Sequence, residues 1–160
     1  MESRFLKLYF PYRYFTMIPP FDDAGDLPPG LHTTTWEEFR DRFCRFLRSD
    51  RRPQLCQQLE RLVEEARASG IVSRVLVGGS MVQATVEPND FDCIVVLRTE
   101  AHYESLRPDQ LIVADARLAR SRYVGDIFIA REGQRPLSRY IDFFSRNRDG
   151  KIVGMAEVPL

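Results

Sequence analysis

The stretch Ile71-Val72-Ser73-Arg74-Val75-Leu76-Val77-Gly78-Gly79-Ser80, followed after a gap of nine residues by Asp90-Phe91-Asp92-Cys93-Ile94-Val95-Val96-Leu97, decides how this chain folds. Its two apolar, β-branched runs, 71–77 and 91–97, predict a pair of strands. A strand sends residues i and i+2 to one face, about 6.6 to 7 Å apart. Asp90 and Asp92 are therefore expected on a common face, with Phe91 and Cys93 pointing the other way into a core. Hard oxygen ligands on a stiff support suit Mg²⁺, which takes one or two carboxylates together with the phosphates of its substrate. An isolated Asp-x-Asp also reads as two solvated acids at a strand start, here after the turn-forming Pro88-Asn89.

Between the strands, Gly78-Gly79-Ser80 turns the chain toward Met81–Thr85, a segment long enough for one or two helical turns. Glycine admits positive φ and close approach of the backbone to an anion, and a helix N-terminus presents unpaired N–H groups to phosphate. Ser80 in that place either hydrogen-bonds a phosphate oxygen or caps the helix.

A hydrophobic strand, Gly79-Ser80, a nine-residue gap and Asp90-Phe91-Asp92-Cys93 together resemble the signature of the polymerase-beta-type nucleotidyltransferase superfamily. The resemblance implies a third carboxylate on a neighbouring strand. Val124-Gly125-Asp126-Ile127-Phe128-Ile129 carries a single acid at the head of an apolar strand, which makes Asp126 the candidate. Further segments are similar to a group of small, largely uncharacterised prokaryotic nucleotidyltransferase-like proteins: Ile18-Pro19-Pro20-Phe21, Gly25 to His32, Trp36-Glu37-Glu38-Phe39, and Phe144 to Gly154. The likeness runs from about residue 18 to the end.

It implies a Mg²⁺ cofactor, with Mn²⁺ as a substitute, held by Asp90, Asp92 and Asp126, and an NTP whose β- and γ-phosphates are gripped at Gly79 and Ser80. The implied reaction transfers a nucleoside monophosphate to a hydroxyl of a protein, an RNA end or a small molecule, with Asp126 nearest that hydroxyl. A rival expectation is a non-catalytic interaction module on the same scaffold, such as one half of a toxin–antitoxin or phage-defence pair. Against it, like charges held together without a metal repel one another and raise a pKa.

Composition agrees with one domain over 18–160. The chain has 160 residues, 44% hydrophobic and 29% charged, an ordinary balance for a single core. Its formal net charge is zero, so no global field draws it to nucleic acid or anionic lipid, and general nucleic-acid binding is not expected. The basic residues are nevertheless 21 arginines against two lysines. Arg117, Arg120, Arg122, Arg131, Arg135 and Arg139 bracket the strand carrying Asp126; guanidinium forks suit a triphosphate, and equally pair with nearby acids. Three cysteines, Cys44, Cys56 and Cys93, give an odd number without Cys-x-x-Cys spacing, which argues against a disulfide framework or a structural zinc and for a reducing cytoplasm. No run approaches the length of a membrane span.

Along the chain, Thr35-x-x-Glu38 predicts a capping box, with Trp36, Phe39, Phe43, Phe46 and Leu47 at helical spacing behind it. Pro53 begins a second helix, Leu55, Leu59, Leu62, Val63 and Ala66 line it, and Gly70 ends it. Thr99 to Gln110 is expected to be part helix, Leu111–Ala114 a short strand, 117–122 a loop or helical turn, Leu137–Phe144 a helix, and Ile152–Val158 a last strand that could stand at a sheet edge. The pattern is α+β, a short mixed sheet with helices mainly on one face. Residues 1–17 form an aromatic-rich extension, with Phe5, Tyr9, Phe10, Tyr12, Tyr14 and Phe15 within 5–15. They suit either a contact with a protein partner or a segment folded back over its own sheet.

Overall fold

In chain order the elements are β1 (Gly30–Thr33), α1 (Trp36–Phe43), α2 (Arg51–Ser69), β2 (Val72–Gly78), β3 (Phe91–Leu97), α3 (Pro108–Ala114), α4 (Ala116–Arg122), β4 (Gly125–Arg131), α5 (Arg135–Phe144) and β5 (Gly154–Pro159). Short 3-10 turns stand at Gly79–Val82 and Tyr103–Ser105. The computed structural model describes residues 18–45, 48 and 50–160. The extension 1–17, with the partner contact expected through residues 5–15, lies outside them, as do Phe46 and Leu47.

The strands make one mixed sheet in the order β1-β5-β2-β3-β4. β2 runs antiparallel to both β3 and β5, β4 is parallel to β3, and β1 is parallel to β5. Strand alternation sorts the side chains onto two faces. Val75, Val77, Phe91, Cys93, Val95 and Ile127 pack with the apolar stripes of α1 to α4, among them Phe39, Phe43, Leu59, Leu62 and Val113. Leu76, Ile94, Val96, Ala130 and Met155 pack on the other face under Leu137 and Phe144 of α5. Helices thus lie mainly on one face, and the fold is α+β.

Local chemistry accounts for the helix ends. Thr35 accepts from the Glu38 amide at 3.2 Å while Glu38 Oε2 accepts from the Thr35 amide at 3.4 Å, closing the capping box of α1. Gly70 takes a left-handed conformation, φ +70°, and stops α2. No helix among the described residues is long and apolar enough to cross a membrane.

Three expectations are corrected and one strand is added. Leu111–Ala114 is helical, the last turns of α3, because Pro108 and Asp109 open a helix that buries Val113 and Ala114. β5 is interior rather than an edge, since β1 covers its far side. β1 itself, four half-exposed residues, has no counterpart among the expected strands. Cys44 and Cys56 are joined in a disulfide, their Cα atoms 5.8 Å apart, while Cys93 is a buried free thiol.

Candidate metal and phosphate site

Register assembles the acids. In the β2–β3 pair Gly78 stands opposite Asp92, and in the parallel β3–β4 pair Asp92 stands opposite Asp126. Adjacent strands lie about 4.8 Å apart, so these two carboxylates leave neighbouring strands at one level. Both face the α5 side, in line with Ile94 and Phe128, while the flanking Phe91 and Cys93 are fully buried in the opposite core and hold the strand rigid. Asp90 precedes the first residue of β3 and is exposed.

The glycine turn closes against this level of the sheet. Gly79 has φ +65°, a left-handed value that favours glycine, and a Cβ there would overlap Asp92 Oδ2. The loop can therefore lie directly on the carboxylate only because residue 79 lacks a side chain. Ser80 follows in the 3-10 turn Gly79–Val82, partly exposed, while Met81 and Val82 are buried and anchor the turn in the core.

Burial, and then the neighbouring charges of Asp90 and Asp126, push the Asp92 carboxyl up to about 6. Asp92 is half-buried and accepts no hydrogen bond from any described residue. Asp126 is differently placed. Its side chain is half exposed, and Arg120 Nε lies 3.5 Å from Oδ1. The same Nε donates to the Ile127 carbonyl at 3.0 Å, and the guanidinium stacks 5.1 Å from the Phe128 ring centre. An open cleft of about 650 Å³ runs past Asn89, Asp90, Arg120, Tyr123, Gly125 and Asp126.

The structure therefore couples the three acids electrostatically without closing them into a cage. Among the described residues no three His, Cys, Asp or Glu side chains stand together as a metal-holding group. The donor set nonetheless fits Mg²⁺. That ion uses one or two carboxylates and completes its shell with water and phosphate oxygens, and Asp90 and Asp92 are two carboxylates that could serve so, with no described donor competing for Asp92. Asp126 could serve as a third only by leaving Arg120. The histidines are engaged elsewhere: His32 Nε2 lies 2.7 Å from the Pro28 carbonyl, and His102 Nδ1 lies 3.1 Å from Arg131.

Two arginines matter more at this site than the sequence alone indicates. Arg120 belongs to the group bracketing β4, so the sequence carries a signal for it but not for its partner. Arg52, buried behind the glycine turn, carries none, being one arginine of 21 with no pattern around it. Arg122 pairs with Glu65, and Arg131 donates to the Ala101 carbonyl, so part of the arginine group does serve nearby protein acceptors.

Comparison with the curated proteins and with the solved structures gives no match. Residues 19–159 match the family described as "Family of unknown function (DUF6932)". That span contains all five strands and each acid, glycine and serine of the candidate site, and the chain belongs to this family of unknown function, DUF6932.

Proposed function

We propose that the chain is a Mg²⁺-dependent nucleotidyltransferase that moves a nucleoside monophosphate from an NTP to a hydroxyl of an acceptor. The observation that carries the reading is Asp92: half-buried, without a hydrogen-bond donor among the described residues, and set beside two further acids. Repulsion and desolvation make such a carboxylate a burden on a purely structural protein. A bound divalent cation relieves both.

Asp90 and Asp92 would hold Mg²⁺, for which Mn²⁺ can substitute. Such an ion supplies charge neutralisation at the phosphates and at the departing pyrophosphate. The backbone of Gly79 and the Ser80 hydroxyl donate to oxygens of the β- and γ-phosphates. The acceptor enters through the cleft beside Asp126. Its hydroxyl oxygen attacks the α-phosphorus, the bond from that phosphorus to the bridging oxygen breaks, and pyrophosphate leaves with the electron pair. Asp126, released from Arg120, takes the hydroxyl proton. An NTP substrate suits a cytoplasmic protein, a setting in which the Cys44–Cys56 bond is an exception to the usual reduced thiols.

The test supplies each of the four NTPs labelled at the α-phosphate, with Mg²⁺ or Mn²⁺ and a cell lysate. Wild-type protein should label an acceptor, and Asp90→Asn and Asp92→Asn should lower the rate by about a hundredfold or more, as loss of a charge-stabilising group does. Transfer that survives both substitutions overturns the metal-holding roles of Asp90 and Asp92. The Arg120–Asp126 ion pair, and the lack of a closed three-acid group among the described residues, favour a second reading, a non-catalytic interaction module such as a toxin–antitoxin or phage-defence partner. Absence of transfer, with no metal-dependent thermal shift on any NTP, supports that reading instead.

A further inference from the structure

Arg52 stands in the first turn of α2 and is fully buried, the largest side chain in the core to be so. Among the described residues its guanidinium donates to backbone carbonyls. Nε donates to Thr85 at 2.9 Å; Nη1 donates to Phe43 at 2.9 Å and to Met81 at 2.8 Å. Nη2 donates to Ser80 at 3.0 Å, Gln83 at 2.7 Å and Thr85 at 2.6 Å. Phe43 is the last residue of α1, where the free carbonyls of a helix end favour a cation. Four further acceptors, Ser80, Met81, Gln83 and Thr85, belong to 80–85.

Beyond Met81 and Val82, which are buried in the core, that segment has few other restraints. Ala84 to Glu87 are exposed, and no strand or helix covers 83–90. Gln83 Nε2 donates to Asp26 Oδ1 at 2.9 Å, and the Ala84 amide donates to the Gly25 carbonyl at 2.8 Å. Backbone carbonyls taken out of water need partners, and here one planar fork supplies four of them at once. Because a trans peptide sets C=O and N–H in opposite directions, carbonyls of Ser80 and Met81 aimed at Arg52 turn the N–H groups of Met81 and Val82 away from it. Burial lowers the Arg52 pKa to about 10, which leaves the group charged at neutral pH.

We infer that Arg52 is a positioning residue whose guanidinium, from inside the core, fixes the backbone of 79–85 in the shape that lays the Gly79–Ser80 turn against Asp92, and so sets the affinity for the phosphates of the nucleotide. The second half of this statement rests on the nucleotidyltransferase reading; the first half does not. A lysine has one ammonium in place of the fork and cannot reach all five carbonyls.

Two measurements on full-length protein separate them. In Arg52→Met, hydrogen exchange at the amides of 80–86 should accelerate by about a hundredfold, while β3 keeps its protection, the pattern of a local rather than a global opening. Arg52→Lys should give a smaller acceleration confined to the same amides, and it is the variant read if Arg52→Met fails to fold. Asp92→Asn should leave exchange at 80–86 unchanged. With Mg²⁺ and ATP as the probe, KM for ATP in Arg52→Lys should rise about tenfold with kcat within about threefold, the signature of lost uniform binding. Unchanged exchange at 80–86, or acceleration spread evenly over the sheet, overturns the positioning role. Local opening with KM unchanged overturns the link to the phosphates. If wild-type protein neither binds nor uses any NTP, the functional reading fails, and the exchange result still decides what Arg52 does.

Discussion

Asp92 is a residue whose ionisation works against the fold. Its carboxyl titrates near 6 in the folded chain against 3.8 when unperturbed, so between these values the folded form holds more protons than the unfolded one. Stability contributed in this way is present at acid pH and is lost as pH rises through about 6. Each unit of displacement corresponds to about 1.36 kcal/mol. For a partly solvated group, screening reduces the total to on the order of 1 to 2 kcal/mol. Asp92→Asn should therefore melt about 3 to 6 °C above wild type at pH 7 and within about 1 °C of it at pH 4. Saturating Mg²⁺ should narrow the difference at pH 7. Calorimetric melts at both pH values, with and without the ion, provide the check; equal melting temperatures at pH 7 would mean that the buried charge carries no penalty. The nearness of Asp90 in sequence was legible, and its charge is felt at Asp92, but Asp90 lies in the bend before β3, where strand alternation does not place its side chain. The closeness of Gly79 to the Asp92 oxygen was not legible, since it depends on how β2 and β3 lie in register.

At the scale of elements, the Cys44–Cys56 bond joins the C-terminal cap of α1 to the second turn of α2, across a sequence separation of 12. Closing a loop of that size restricts the unfolded chain, and the chain-entropy model assigns it about 3 kcal/mol. Cys56→Ala should lose on the order of that amount in urea unfolding relative to the oxidised protein, and wild type unfolded without reductant should show one titratable thiol, that of Cys93. Three thiols under the same conditions would refute the bond. An odd count of cysteines could not reveal the pair, because the pairing depends on two helices meeting in space. The same limit explains the other misread elements. Leu111 to Ala114 is an apolar run centred on the β-branched Ile112 and Val113, yet Pro108 starts a helix before it and Gln110 closes that helix onto Arg107, with the Arg107 amide donating to Gln110 Oε1 at 2.9 Å. β1 offers four residues without apolar alternation, between Pro29 and Thr34, and becomes a strand only by pairing with β5 from the far end of the chain. The long periodic segments α1, α2, β2, β3 and α5 were legible because each carries its own caps, glycines or alternation.

Across the whole molecule, the sheet separates the acid site from a second charged group. Arg74 on β2 pairs with Glu132 at 2.9 Å and with Glu157 at 2.6 Å, Ser73 Oγ donates to Glu132 at 2.8 Å, and Thr33 Oγ1 donates to Glu157 at 2.7 Å. These contacts tie β1, β5 and β2 to the end of β4. Along β2, Arg74 precedes Gly78 by four residues, a distance of about 13 Å at 3.3 Å per residue, and Gly78 is the partner of Asp92. Substitutions that far apart, sharing no partner, add to within about 0.5 kcal/mol. Arg74→Met leaves two partly buried carboxylates facing each other without their cation and should destabilise the fold by about 1 to 3 kcal/mol. It should leave kcat/KM for label transfer within about threefold, because neither the turn nor the acids move. Combined with Asp92→Asn at pH 7, the loss at Arg74 and the gain at Asp92 should sum in denaturant titrations. A discrepancy above about 1 kcal/mol would show that strain passes through the sheet between its two ends. In that case the raised Asp92 carboxyl is a property of the whole sheet, and stabilising the far end would be expected to shift its titration.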